Sequence, residues 1–331
     1  MVVVVTGASA GVGRAVVREL ARHGSKMKIG LLARGTDGLL AAKKEVEALG
    51  GRAIVVETDI SEEVEVEAAA ARVERELGPI DIWINDAMVS VFAPVSELTP
   101  NELRRVTDVT YLGTVWCTLA ALRRMKERNR GVIVQVGSAL AYRAIPLQAA
   151  YCAAKHAVKG FTESLRTELL HEKSRVQVVM VELPAVNTPQ FDWSRSRMPR
   201  QAQPVPPIYQ PEVIARAIVH AAFHPRKEVI VGFPAWKAIF AEKWTPALAD
   251  RFLAKNGYDA QMTDEPSRPH RLDDLWRPLP GDHGAHGRFD ARAKKWSLWV
   301  WLNMNRRLVT GALAAMLAGA IYVTKAPKMM P

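Results

Sequence analysis

The chain opens MVVVVTGASAGVGRAVVREL, and residues 2–20 of that stretch decide the fold. Val2–Val5 is an unbroken β-branched run, TGASAGVG at 6–13 is a glycine-spaced turn, and the residues after it are apolar at helical spacing. Strand, glycine turn and helix in that order are what a diphosphate site requires. Gly7 permits the tight turn, Gly11 lets the backbone approach a pyrophosphate, and Gly13 allows close packing of helix on strand. The helix start then offers unpaired N–H groups and the positive end of its dipole. Ser9 and Val12 sit within the same turn and join the glycines as expected dinucleotide contacts.

Outward from that start, the first 235 residues alternate short apolar runs with amphipathic stretches. The runs are Val2–Thr6, Ile29–Ala33, Ala53–Thr58, Asp81–Asn85, Val132–Val136, Val176–Glu182 and Val229–Val231. Helical patterns lie near 12–24, 37–49, 62–77, 100–128, 149–171 and 211–223. Strands apolar almost throughout belong to a sheet covered on both faces. The alternation predicts an α/β protein with a doubly wound parallel sheet, a Rossmann fold, as a catalytic domain over residues 1–235. A C-terminal extension follows: a helical stretch at 236–256 broken near Pro246, a polar linker at 257–295, and an apolar helix within 296–325.

The end of the second strand bears on which dinucleotide binds. A site for NAD needs an acid there to accept from the ribose 2′-OH. The strand ends Leu32-Ala33-Arg34-Gly35, with no acid. Arg34 is either a solvated strand-end residue or a bidentate partner for a 2′-phosphate, which selects NADP(H).

Tyr151-Cys152-Ala153-Ala154-Lys155 opens a helical stretch, and the i, i+4 spacing sets Tyr151 and Lys155 on one face. An ammonium at that range is expected to lower the phenol pKa from about 10, suiting it to proton transfer with a carbonyl oxygen. Ser138, at the end of the fifth strand, can donate to the same oxygen.

With these residues in order, the sequence resembles the short-chain dehydrogenase/reductase family over about residues 1–233. The resemblance rests on TGASAGVG at 6–13, Asp59-Ile60, Asn85-Asp86-Ala87, Ser138, YCAAK at 151–155, and Pro184 with Thr188. It implies an oxidoreductase that moves hydride between NADP(H) and a carbonyl/alcohol pair. Asp59 and Ile60 would hold the adenine. Asn85 and Ala87 would lie beside the adenosine ribose and brace the central strand. Tyr151 would be the general acid, Lys155 would also bind the nicotinamide ribose, Ser138 would orient the carbonyl, and Val186 and Thr188 would contact the carboxamide. Three departures stand out. Met88 replaces a glycine, Ala185 follows Pro184 where glycine is usual, and Thr110 stands where the family often has the asparagine of a proton relay. Thr110 is therefore a candidate catalytic residue. The altered Met88 and Thr110 are also the support for an alternative, a membrane-associated NADP(H)-binding sensor or scaffold with little turnover.

The substrate side reads as apolar. Met88, Val91 and Phe92, then Leu140, Tyr142, Ile145 and Leu147, are positioned to face a pocket, with Phe191, Trp193 and Met198 in a proline-rich loop at 184–211. Either they bind a lipophilic ketone, aldehyde or alcohol, or they pack the loops together. Arg143 and Arg195 leave room for an anionic group.

The chain has 331 residues and a formal charge of +11. Eight Lys and Arg against one Asp give +7 to residues 286–331 alone, with an uncharged run at Leu308–Thr324 beside them. A basic tail next to an apolar run suits an anionic membrane surface better than nucleic acid, for which no signature is present. The run reads as a tail anchor, an interfacial helix, or a helix packed on the domain. Trp296, Trp299 and Trp301 lie just upstream, as an interfacial belt would. The two cysteines, Cys117 and Cys152, have no metal or CxxC spacing, and point to a reducing compartment. No signal peptide is read at the start, so the catalytic domain is expected on the cytoplasmic face of a membrane. The His283/His286 pair has the HxxH spacing without further ligands, and no metal is assigned. A homo-oligomer is compatible with the sequence.

Overall fold

The computed structural model describes residues 1–268, 271–306, 308–311 and 316. Its centre is a parallel sheet of seven strands. In chain order they are β1 (Val2–Thr6), β2 (Lys28–Ala33), β3 (Arg52–Glu57), β4 (Ile82–Asn85), β5 (Gly131–Val136), β6 (Val176–Glu182) and β7 (Glu228–Ile230). They lie side by side as β7-β6-β5-β4-β1-β2-β3, every pairing parallel. The strand order reverses between β1 and β4, and the crevice at such a switch point is where α/β proteins bind ligands.

Helices α1 (Gly11–Ala21), α2 (Thr36–Ala48), α3 (Glu63–Leu77), α4 (Pro100–Thr107), α5 (Gly113–Glu127), α6 (Ala149–His171) and α7 (Pro211–Phe223) cover the two faces. One face buries Val3, Val5, Ile29 and Leu31 against Val16, Leu20, Leu39 and Ile214. The other buries Val4, Trp83 and Ile133 against Val73, Val106, Cys117 and Leu165. Full burial of each such side chain contributes about 1.5–3 kcal/mol, which explains why the strands are apolar on alternate and intervening residues alike.

The helical stretch expected at 100–128 is interrupted. Thr99 caps α4, its hydroxyl accepting from the Glu102 amide while the Glu102 carboxylate accepts from the Thr99 amide. Between α4 and α5, Asp108–Leu112 winds as a π-turn. An extra residue in a helical turn is a recurrent device near functional sites, because it re-aims one side chain without ending the helix.

After β7 the chain forms α8 (Phe233–Trp244) and α9 (Pro246–Asn256), separated at Thr245. Residues 271–294 do not trail away as a connector; they run back past the carboxyl ends of the strands, bonding residues that follow β2, β1 and β6. Leu275, Ala285 and Phe289 are buried there. The last described helix, α10 (Leu298–Met304), docks on the domain through Val300 and through Trp299, whose indole N–H donates to the Ile230 carbonyl at 3.0 Å. Most of the uncharged run at 308–324 lies outside the described residues. Among the described residues, no helix is long and apolar enough to cross a membrane.

Candidate active site

A single cleft of about 950 Å³ runs along the carboxyl ends of the strands. Gly7, Ser9, Gly11 and Val12 line it at the first turn, with Arg34, Asp59 and Ile60 toward β2 and β3. Ala87, Ser138, Tyr151 and Lys155 line its middle, and Val186 and Thr188 the segment after β6. Thirteen of the expected site residues therefore meet in one cavity. Gly13, Asn85 and Thr110 do not line it.

The glycine turn has the form that a close-packed phosphate loop demands. Gly7 and Gly11 take φ +70° and +59°, the left-handed region that a side chain disfavours. A Cβ on Gly7 would sit 3.0 Å from the Ala87 backbone, and one on Gly13 would collide with the Gly7 carbonyl. Thr6 ties this turn to β4: its hydroxyl accepts from the amides of Asp86 and Ala87 at 3.0 and 3.1 Å. That brace was not read from the sequence, since a threonine ending a strand has no distinguishing spacing.

Asn85 is committed to the interior. It accepts from the Trp83 indole at 2.8 Å and donates to Thr118 and Gln135 at 3.1 and 2.9 Å. Its side chain braces the strand and faces away from the cleft. The carboxylate of Asp59 accepts from Arg105 at 2.6 Å and from Ser61 at 2.8 Å, so Arg105 lies beside Asp59 toward β3.

Lys155 is buried, and its ammonium donates to the Val136 carbonyl at 2.7 Å. Burial lowers its pKa, while Asp86 and Glu182 pull it back up. Its Nζ lies 5.7 Å from the centre of the Tyr151 ring. The phenol of Tyr151 is pushed above its ordinary value, because burial outweighs the lowering hydrogen bond with Ser138. The i, i+4 spacing led to the opposite expectation. The ammonium is turned onto a carbonyl rather than held against the phenol oxygen, so desolvation decides the direction. Ser138 begins a short turn, its hydroxyl accepting from the Leu140 amide at 3.1 Å.

Thr110 is not placed to relay protons. It is fully buried in the π-turn, and its hydroxyl both donates to the Val89 carbonyl (3.0 Å) and accepts from the Val89 amide (3.1 Å). It clamps the loop after β4 beside the cleft, and its own carbonyl accepts from Thr114 at 3.0 Å.

Two acids near the lysine, one half-buried and one fully buried, went unread. Asp86 sits at the cleft with its carboxyl raised by burial, opposed by Lys155 and the Gly13 amide. Glu182 is fully buried, with no side chain among the described residues bonded to its carboxylate and the Ser138 backbone opposing its upward shift, and it is packed so tightly under Gly137 that no Cβ fits there. Burial first, then Glu228, raises it to about 8.

The substrate end is only partly as expected. Met88, Leu140, Ile145, Phe191 and Trp193 line the cleft, whereas Phe92, Leu147 and Met198 pack with one another and with Phe289 in a small separate core. Val91 is buried among the residues behind α4, and Tyr142 turns outward to Glu228. In their place α8 and α9 supply Phe233, Ala238, Leu248 and Phe252. Arg143 pairs with Glu242 and Asp250, and Arg195 with Glu102 and Asp273. The charges that left room for an anionic group are thus already compensated. His283 and His286 part company: His283 lies edge-on to Trp193, and His286 bonds Glu212 and Asp290.

The profile described as short chain dehydrogenase matches residues 1–198. The chain belongs to the short-chain dehydrogenase family. Among family members, an uncharacterized oxidoreductase YxnA of Bacillus subtilis (strain 168) is 32% identical over 85% of this chain and 79% of its own. A 3-dehydrosphinganine reductase of Danio rerio is 31% identical over 66% of this chain and 68% of its own. A solved short-chain oxidoreductase of metagenomic origin, in complex with NADP, superposes with a TM-score of 0.59 at 27% identity, covering 70% of this chain and 96% of that one. An alcohol dehydrogenase from the archaeon Thermococcus sibiricus, complexed with 5-hydroxy-NADP, gives 0.59 at 26% identity, over 69% of this chain and 94% of the other. This short-chain dehydrogenase is an oxidoreductase with the sheet, switch point and cleft of its family, and with 133 residues after the matched region.

Proposed function

We propose that the chain reduces a lipophilic ketone or aldehyde with NADPH, with Tyr151 giving the proton. The observation that carries this reading is the meeting of Ser138, Tyr151 and Lys155 at one end of a cleft whose other end holds the glycine turn and Arg34. The fit to a dinucleotide rests on the positive-φ glycine cradle and on the continuity of that cleft from Arg34 to Tyr151. Arg34, with no acid at the end of β2, selects NADPH.

When bound, the coenzyme supplies hydride at the nicotinamide C4. Lys155, anchored through one N–H to Val136, keeps two N–H bonds for the nicotinamide ribose hydroxyls. Ser138 and Tyr151 converge on the carbonyl oxygen. A phenol raised above its ordinary value stays protonated at neutral pH, and releases its proton only to an oxygen gaining negative charge. Such a phenol is in the protonated form that the general acid of a reduction requires. Val186 and Thr188 hold the carboxamide, and Asp59 and Ile60 flank the adenine.

The apolar lining and the compensated Arg143 and Arg195 favour a neutral, lipid-like substrate. The similarity to a 3-dehydrosphinganine reductase makes long-chain ketones the first class to try. Membrane association fits the same picture. Phe240, Trp244, Leu248 and Phe252 on α8 and α9, the last two lining the cleft, are exposed, and so are Trp296 and Trp301. Exposed aromatics of this kind, in a chain whose sequence ends in a basic stretch beside an uncharged run, suit attachment to the cytoplasmic face of an anionic membrane.

The test is NADPH oxidation by the full chain against long-chain and short polar ketones, with both coenzymes. Turnover at least about tenfold faster (kcat/KM) on the long-chain class is expected. Absence of binding by either coenzyme contradicts the reading.

A further inference from the structure

The adenosine end of the cleft has a wall that lies far outside the family-matched residues. Residues 271–294 cross over the glycine turn and are fastened on both sides of it. At the β2 end, Arg34 donates to the carbonyls of Asp274 and Leu275 at 2.6 and 3.4 Å, and Arg105 donates to Leu275 at 3.0 Å. Leu275 is inserted into the core beneath. Over the turn itself, the Gly11 amide donates to the Gly284 carbonyl at 3.0 Å. The Gly281 amide donates to Asp37 at 2.7 Å, and the buried Arg14 pairs with Asp282 at 3.3 Å. At the β6 end, Gly287 lies so close against the Thr188 carbonyl that no Cβ fits, and Asn187 accepts from the Phe289 amide at 3.1 Å.

This strap roofs the cleft without filling it. Asp274, Pro278, Leu279 and His283 line the same cavity as Ser9 and Arg34. Of the acids in the strap, Asp274 lines the cavity, whereas Asp273, Asp282 and Asp290 do not, and its Oδ1 is buried without a hydrogen-bond partner among the described residues. An unpartnered buried carboxylate oxygen beside an arginine is costly unless a ligand completes it.

We propose that the strap is the outer wall of the coenzyme site, and that Asp274 acts with Arg34 to read the ribose 2′ substituent. This rests on the NADPH reading above and refines it. Arg34 attracts a 2′-phosphate. The Asp274 carboxylate repels it and accepts from a 2′-OH, so the pair sets a moderate rather than an extreme preference for NADPH. Because the strap is fastened on both sides of the turn, coenzyme exchange requires it to lift.

The experiment measures dissociation constants and release rates of NADPH and NADH by nicotinamide fluorescence. It uses the full chain, Asp274→Asn and Leu275→Ala, at pH 8, where Asp274, raised by burial to about 7, is largely ionised. Asp274→Asn should raise the NADPH:NADH affinity ratio about tenfold, the effect of one nearby charge. Leu275→Ala should speed release of both coenzymes about tenfold with the ratio unchanged. A ratio within twofold of wild type in Asp274→Asn overturns the proposal. That variant is isosteric, so the result stands even where Leu275→Ala fails to fold. If neither coenzyme binds the wild-type chain, it is the NADPH reading that fails.

Discussion

The two ends of the cleft are built by different means. At the nicotinamide end, Ser138, Tyr151 and Lys155 stand on β5 and α6, fixed by sheet register and by a lysine anchored to Val136. At the adenosine end, Arg34 is fixed by carbonyls 240 and 241 residues further along the chain. The first end is made of contacts local in sequence or shared with every parallel sheet of this order. The second depends on a segment with no regular secondary structure that finds its place only through tertiary contacts. We thus assign the chemistry to the fold, and coenzyme selection to an addition to it.

Two variants probe this contrast at the catalytic end. Thr110→Ala removes the hydroxyl that satisfies both the amide and the carbonyl of Val89, leaving two buried groups unpaired. It should cost about 2 kcal/mol of unfolding free energy in denaturant titration and raise KM for the ketone, with Thr110→Ser close to wild type. The NADPH:NADH ratio should not move, since it is set at the other end; a shifted ratio breaks the comparison. A second effect concerns Glu182. Its folded pKa of about 8 lies above the unfolded value of 4.5. The folded state therefore binds the proton more tightly. The corresponding stability is fully present below pH 4.5 and is lost as pH rises toward 8. Glu182→Gln should flatten that decline in melts run between pH 5 and 8, without altering coenzyme preference.

What could be read from the sequence follows the same division. TGASAGVG after a β-branched run, and YxxxK after a strand-end serine, carry their geometry in their spacing, so the sheet, the turn and the approach of Tyr151 to Lys155 were legible. The direction of the Tyr151 shift was not, because spacing says nothing of desolvation or of the carbonyl that turns Lys155 aside. Thr110 was read by position alone, and position cannot reveal that Val89 claims its hydroxyl. Residues 271–294 were unreadable for a further reason. Their Pro, Gly, Asp and His content has the composition of a solvated linker, and the buried Leu275 and Phe289 have no periodic neighbours to announce them. Glu182 looked like the end of an apolar strand, although an acid buried at 0% exposure is the clearest departure in that element.

The central claim is that Tyr151 delivers the proton in an NADPH-dependent reduction. The direct measurement is single-turnover NADPH oxidation with a long-chain ketone in the full chain and in Tyr151→Phe, alongside NADPH affinity. The account predicts a rate lower by about 10³-fold with NADPH affinity within threefold of wild type. A Tyr151→Phe enzyme that oxidises NADPH at near wild-type rate would contradict it.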